Sequence, residues 1–209
     1  LDGLIPGNTW ERLAHSIDVC QTSFVIQLDS DILTVGEIDD VKKAIEDNRS
    51  FILGTWNGLK TVPVTEASDF ADKLSPAASK HVQSLCERSL RKIADPEKKR
   101  RYVRGSSGFY GFARGAVSRS EAAGFCREML EIVGERFHEW GSEQFASNYL
   151  VANAPNSLVL PYPRYACFGP ELDPGVPSLF HFIGAFRFTR GVYANRARQV
   201  VRELNQRSA

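Results

Sequence analysis

Ser23-Phe24-Val25-Ile26-Gln27-Leu28, followed at once by Asp29-Ser30-Asp31, is the stretch on which the fold turns. A short β-branched and aromatic run reads as a buried strand, and its abrupt stop places two carboxylates at the strand's carboxyl end. Beyond Gly36, the segment Glu37 to Asn48 sets Ile38, Val41 and Ile45 on one face and charges elsewhere, which predicts an amphipathic helix with an acidic first turn. Ser50 to Trp56 is the next apolar strand. Strand, helix and strand in this order predict a parallel crossover, and hence an α/β domain.

Toward the C-terminus, Ser75-Pro76 predicts a helix start, because Ser can cap and Pro gives up no hydrogen bond in the first turn. Val82, Leu85, Cys86 and Ile93 supply the buried stripe of that helix, which ends near Asp95-Pro96. Glu97 to Arg104 is the densest basic run, and Gly105 to Arg114 reads as a loop entering a strand where backbones approach closely. Ser118 with Glu121 forms a capping-box pattern ahead of a long helix with Ala122, Phe125, Cys126, Met129, Val133 and Phe137 inward. Gly141 is expected to stop it, and Ser142 to cap a shorter helix reaching about Val151. Ser157 to Leu160 reads as a short strand, Pro161 to Pro177 as a loop, Ser178 to Ile183 as a strand entry and Val192 to Asn205 as a basic terminal helix. Neither a repeat nor a linker divides the chain, which predicts one domain over residues 1–209.

A content of 43% hydrophobic and 24% charged residues excludes disordered, collagen-like and disulfide-scaffold classes. The formal net charge of +1 conceals two poles: residues 1–75 hold 13 acidic and 6 basic residues, and residues 76–209 hold 12 acidic and 20 basic ones. Membrane spans and secretory signals are absent from the sequence, and Cys20, Cys86, Cys126 and Cys167 lie far apart, as expected of buried, reduced thiols in a cytoplasmic protein. With Leu1 first and Met129 the only methionine, the chain is expected to be a piece of something longer or to have lost its native start.

Two motifs carry chemistry. Asp29 and Asp31 offer hard oxygen ligands for Mg²⁺ or Mn²⁺ at the end of a strand where α/β folds bind ligands, although Asp and Ser also cap turns. His181-Phe182-Ile183-Gly184-Ala185-Phe186-Arg187 sets a histidine among aromatics, the setting of a packed core residue. It also sets a glycine where a ligand can approach and a planar donor fork suited to phosphate oxygens. Lys98 to Arg104 reads as a solvated loop or as an arm facing anionic lipid. RNP-like, helix-turn-helix and zinc signatures are missing, so nucleic acid is not an expected partner. Trp56, Trp140, Tyr162 and Tyr165 are candidates for stacking on sugar rings or for packing.

Asp29-Ser30-Asp31 after a strand, followed much later by His-x-x-Gly-x-x-Arg, resembles the GT-A glycosyltransferases, nearest to the retaining family 8 enzymes, the family of glycogenin and bacterial galactosyltransferases. That family pairs Asp-x-Asp with a late His-x-x-Gly-x-x-Lys, and places between them an Asn-Ser/Ala-Gly strand entry and an Asp-Gln followed four residues after the Gln by Asn. Here Ser106-Ser107-Gly108 and Glu143-Gln144 with Asn148 stand at those points. The resemblance implies an α/β fold with a mixed, mostly parallel sheet and flanking helices, in which Asp29, Asp31 and His181 bind a metal, usually Mn²⁺, and Gly184 and Arg187 contact the donor diphosphate. It further implies that Ser107 and Gly108 line the donor-sugar pocket and that Glu143 and Gln144 face the reacting sugar carbon or the acceptor.

The activity implied is transfer of a sugar from a nucleotide-sugar donor, a UDP-sugar, to a glycan, lipid-linked or other hydroxyl acceptor in the cytoplasm or at the inner membrane surface. The alternatives are a catalytically incomplete carbohydrate- or protein-binding relative and a sugar nucleotidyltransferase. Arg187 replaces Lys, Ser106 replaces Asn and Glu143 replaces Asp, departures that bear on the donor sugar and the acceptor more than on the metal. Only 28 residues precede Asp29, so the chain is expected to lack most of the Rossmann-like nucleoside-binding half and to be a C-terminal portion of a longer catalytic domain.

Overall fold

The computed structural model describes residues 9–75, 78 and 80–207. Thr9–Cys20 forms helix α1, with Trp10, Leu13, Ala14, Ile17 and Cys20 buried. That i, i+3, i+4, i+7 spacing is legible in the sequence, whose reading nevertheless began at Ser23. Val25–Leu28 (β1) follows, then the Asp29-Ser30-Asp31 turn and Ile32–Thr34 (β2). Asp39–Glu46 (α2) turns Val41 and Ala44 inward and leaves Ile45 exposed, so the buried face is rotated from the expected one. Phe51–Gly54 (β3), Val62–Pro63 (β4) and Val64–Asp72 (α3) come next. The buried residues of α3, Val64, Ala67, Ser68 and Ala71, are too small to have announced it as an apolar stripe.

Val82–Ser89 (α4) is capped by His81, whose ring nitrogen accepts from the Gln83 N–H at 3.2 Å. Ser75 accepts from the Ala78 N–H at 3.3 Å, whereas Pro76 of the expected helix start lies outside the described residues. After Arg101–Tyr102 (β5), Gly105–Phe112 (β6) is one fully buried strand where the sequence suggested a loop leading into one. Ser118 and Glu121 form the capping box of Arg119–Val133 (α5), but Gly134 and not Gly141 ends that helix. Ser142–Asn153 (α6) starts behind Gly141, whose φ of 103° leaves the helix entry to a residue without Cβ. Leu158–Val159 (β7), Tyr165–Cys167 (β8, inside the expected loop), Leu179–His181 (β9) and Val192–Arg207 (α7) complete the chain.

The fold is mixed α/β, with the sheet orders β1-β6-β3-β7, β2-β9-β8 and β4-β5. β6 runs antiparallel to both β1 and β3, so the strands of the expected crossover do run alike but are separated by a third; among the described residues the parallel neighbours are β3-β7 and β8-β9. The sheet is therefore mostly antiparallel, which corrects the expectation of a mostly parallel one. Alternation along the strands divides two apolar layers. Ile52, Tyr110 and Phe112 face α1, α4, α5 and α6, while Phe51, Leu53 and Phe109 face α2 and the three-stranded sheet. β1 lies at the edge with Ile26 and Leu28 39% and 57% exposed and Gln27 buried, so it is not the buried strand its composition suggested. Among the described residues no helix is long and apolar enough to cross a membrane.

Candidate metal centre and its pocket

The Asp29-Ser30-Asp31 turn is tied to two sheets. Asp29 N–H donates to Gly108 O of β6 at 2.8 Å, continuing the large sheet, while Asp31 O accepts from the Phe182 N–H at 3.1 Å beside β9 of the small one. Ile32 pairs with His181 across β2 and β9, so the strand register brings the Asp29-Ser30-Asp31 turn beside a residue far along the chain. Ligand atoms of Asp29, Asp31 and His181 all lie within 4.8 Å of one another. His181 Nε2 is 3.3 Å from Asp31 Oδ1 and 3.8 Å from Asp29 Oδ2. Three acceptor atoms turned on one another attract a cation, and two carboxylates with an imidazole make a donor set suited to Mn²⁺ or Mg²⁺.

Strand β6 fixes the imidazole from behind. Ser106 Oγ lies 2.9 Å from His181 Nδ1 and also accepts from the Gly108 N–H at 3.3 Å. With the Nδ1 proton given to Ser106, Nε2 keeps its lone pair for the carboxylate side, the arrangement a metal-ligating histidine needs. A Cβ on Gly108 would stand 2.2 Å from His181 Cε1, so the glycine is required by the ring itself. Burial lowers the pKa of His181 from its ordinary value, against the pull of Asp31 and Asp29, and so favours the neutral, ligating form.

Each aspartate spends its other oxygen on an arginine. Asp29 Oδ1 accepts from Arg12 and, at 3.0 Å, from Gln27 Nε2; Asp31 Oδ2 accepts from Arg187 Nη2 at 2.9 Å. Arg187 Nε also donates to Gly184 O at 2.9 Å, and Gly184 has a φ of 55°. Arg12 reaches Glu143 Oε2 at 3.3 Å with its second nitrogen. Glu143 is thus buried at the start of α6, and burial pushes its carboxyl up to about 7 while Arg12 pulls the other way. Its Oε1 has no hydrogen-bond partner.

Gln144 Oε1 accepts from the Ser107 N–H at 3.4 Å and its Nε2 donates to Gln83 Oε1 at 2.8 Å. A cavity of about 510 Å³ runs past all of these groups, and past His81, Arg104 and Trp140. Trp140, 78% exposed, meets the His81 ring edge-on at 5.6 Å. Of the other candidate stacking residues, Trp56 lies against Phe70 in a separate cavity, Tyr165 is buried, and Tyr162 packs beside Phe168 and Phe182. In the basic run, Arg100 pairs with Glu128 at 2.7 Å and Arg104 with buried Glu87, so two of its cations turn inward rather than toward solvent or lipid.

The nine residues to which the resemblance gives metal-binding, donor-binding or reacting-centre roles therefore line one cavity, whereas Ser106 and Asn148, which stand at the same motifs, do not. Sequence reasoning missed Arg12, His81 and Gln83, and read Arg104 only as the end of the basic run. The amphipathic spacing of α1 was a signal for Arg12; His81 and Gln83 carry no local pattern. Comparison with protein-family models, with curated proteins and with solved structures finds no match to the chain.

Proposed function

We propose that the chain acts as a GT-A-type, metal-dependent glycosyltransferase, with a UDP-sugar or similar nucleotide-sugar as donor and a sugar or other hydroxyl group as acceptor. The observation that carries this reading is the convergence of Asp29, Asp31 and His181 within 4.8 Å in the same cavity as Glu143, Gln144 and Arg187. Asp29, Asp31 and His181 hold Mn²⁺ or Mg²⁺, which when bound supplies Lewis-acid stabilisation of the departing diphosphate.

Arg187 adds a planar cation at the same end, and the Gly184 backbone leaves room for phosphate oxygens. As the donor bond breaks, positive character gathers on the sugar carbon, and the Gln144 carbonyl oxygen or the Glu143 carboxyl can face it from the middle of the cavity. Ser107 and Gly108 then line the sugar side.

Release of UDP from UDP-glucose and UDP-galactose, with and without Mn²⁺, tests the proposal. Mn²⁺-dependent turnover that disappears in Asp31→Ala is the expected result. Turnover in Asp31→Ala equal to that of the unaltered protein would sink it.

A further inference from the structure

Behind Gln144 lies a second set of polar groups, centred on buried Glu87 and separate from the Asp29, Asp31 and His181 cluster. Gln83 and Glu87 sit four residues apart on α4, one turn above the other, and both are buried. Gln83 Nε2 donates to Glu87 Oε1 at 3.1 Å, and the Tyr102 hydroxyl donates to the same oxygen at 2.8 Å. Arg104 donates to Glu87 Oε2. Asn148 Nδ2 completes the set, donating to the Tyr102 hydroxyl at 3.3 Å and to Gly105 O at 3.0 Å.

The donors and acceptors leave one arrangement. A carboxylate paired with a guanidinium only accepts. Gln83 must therefore turn its NH₂ to Glu87 and its carbonyl to Gln144. Gln144 in turn must present its NH₂ to Gln83, which directs its own Oε1 to the Ser107 N–H and leaves a lone pair of that oxygen for the cavity. An amide rotated by half a turn would put N–H against N–H at Ser107 and carbonyl against carbonyl at Gln83, leaving donors and acceptors unpaired.

We infer that Gln83 and Glu87 are positioning residues: Glu87, held by Arg104 and Tyr102, dictates through Gln83 which end of the Gln144 amide faces the reacting sugar. This deepens the proposed function and rests on it for the word sugar; the orientation itself rests only on the hydrogen bonds.

Gln83→Met keeps the length of the side chain and removes both links. In Mn²⁺-dependent UDP-galactose or UDP-glucose hydrolysis it is expected to lower kcat by about tenfold while leaving KM for the donor unchanged. In a Gln144→Ala background the same substitution should change kcat less than about twofold. An equal loss in both backgrounds, or no loss in either, would overturn the inference, the first by assigning Gln83 a merely structural role. Nuclear magnetic resonance of the Gln144 side-chain amide provides an arm that needs no turnover. Its protons should be protected from exchange in the unaltered protein and lose that protection in Gln83→Met and in Glu87→Gln, and unchanged protection in both variants would also overturn it. Absence of turnover in the unaltered protein together with loss of protection in the variants defeats the glycosyltransferase reading and leaves the positioning relay standing.

Discussion

The two ends of the cavity are built on opposite principles. At the metal end, Asp29 and Asp31 are half-buried, each shared between an arginine and His181. At the amide end, Glu87 is buried and both its oxygens are filled by neighbours that are themselves held. Partly exposed ion pairs cost little to exchange, whereas a buried carboxylate stripped of one partner costs several kcal/mol. The first end is suited to taking up and releasing a charged ligand, and the second to keeping one amide in one orientation. Glu143 stands between them, joined to the metal end through Arg12 and to the amide end through its chain neighbour Gln144.

The sharpest break in the comparison comes from Asp31→Ala. It removes a ligand and frees Arg187 at once, so Mn²⁺ affinity measured by titration calorimetry should fall by more than about a hundredfold, beyond what partners of metal ligands are usually worth. The helices and the amide end should be untouched, and the circular dichroism spectrum should remain that of the unaltered protein.

Glu143 tests the middle ground. Its carboxyl is pushed by burial from the ordinary 4.5 up to about 7, so between those values the folded chain keeps a proton that the unfolded chain has released. The contribution to stability is complete below the unfolded value, declines as pH rises from about 4.5 to about 7, and is level above. That decline amounts to at most about 3 kcal/mol. Glu143→Gln should remove it, which urea unfolding of both proteins at pH 5 and pH 8 would show as a smaller pH difference in the variant.

Ser106→Ala probes the support of the metal end without touching a ligand. Losing the Nδ1 partner of His181 frees the ring to take the wrong tautomer, and Mn²⁺ affinity should drop about tenfold with the thermal midpoint little changed. The mildest expected effect is that of Arg187→Lys. A point charge replaces a fork at a side chain 40% exposed, so UDP affinity in the presence of Mn²⁺ should weaken only about threefold.

How much of this was legible before any coordinates depended on how local the determinant was. Asp29 and Asp31 stood out because a strand ends on them, and Ser118 with Glu121 because a capping box is a four-residue pattern. The crossover was readable only in part: Phe51–Gly54 pairs with Gly105–Phe112, a contact across some 50 residues that no periodicity near either segment reports. Gly105 to Arg114 looked like a loop because its glycines lower strand propensity. One of them, Gly108, is a place where His181 lies against the strand, which was the other half of the same reading. Gln83 was invisible, and Arg104 was read only as part of a basic run, because their role is set by Glu87 and Gln144, brought near by packing of α4 on α6 and not by spacing in the chain.

One measurement reaches the central claim directly. Pulsed electron paramagnetic resonance of the protein loaded with a single equivalent of Mn²⁺ reports whether an imidazole nitrogen is bound to the ion. The account predicts one tightly bound Mn²⁺ per chain carrying the coupling of one histidine nitrogen, with the coupling lost in His181→Ala and the binding lost in Asp31→Ala. Mn²⁺ that stays free in solution at millimolar concentration, or that binds with no nitrogen coupling and equally well in Asp31→Ala, would contradict it.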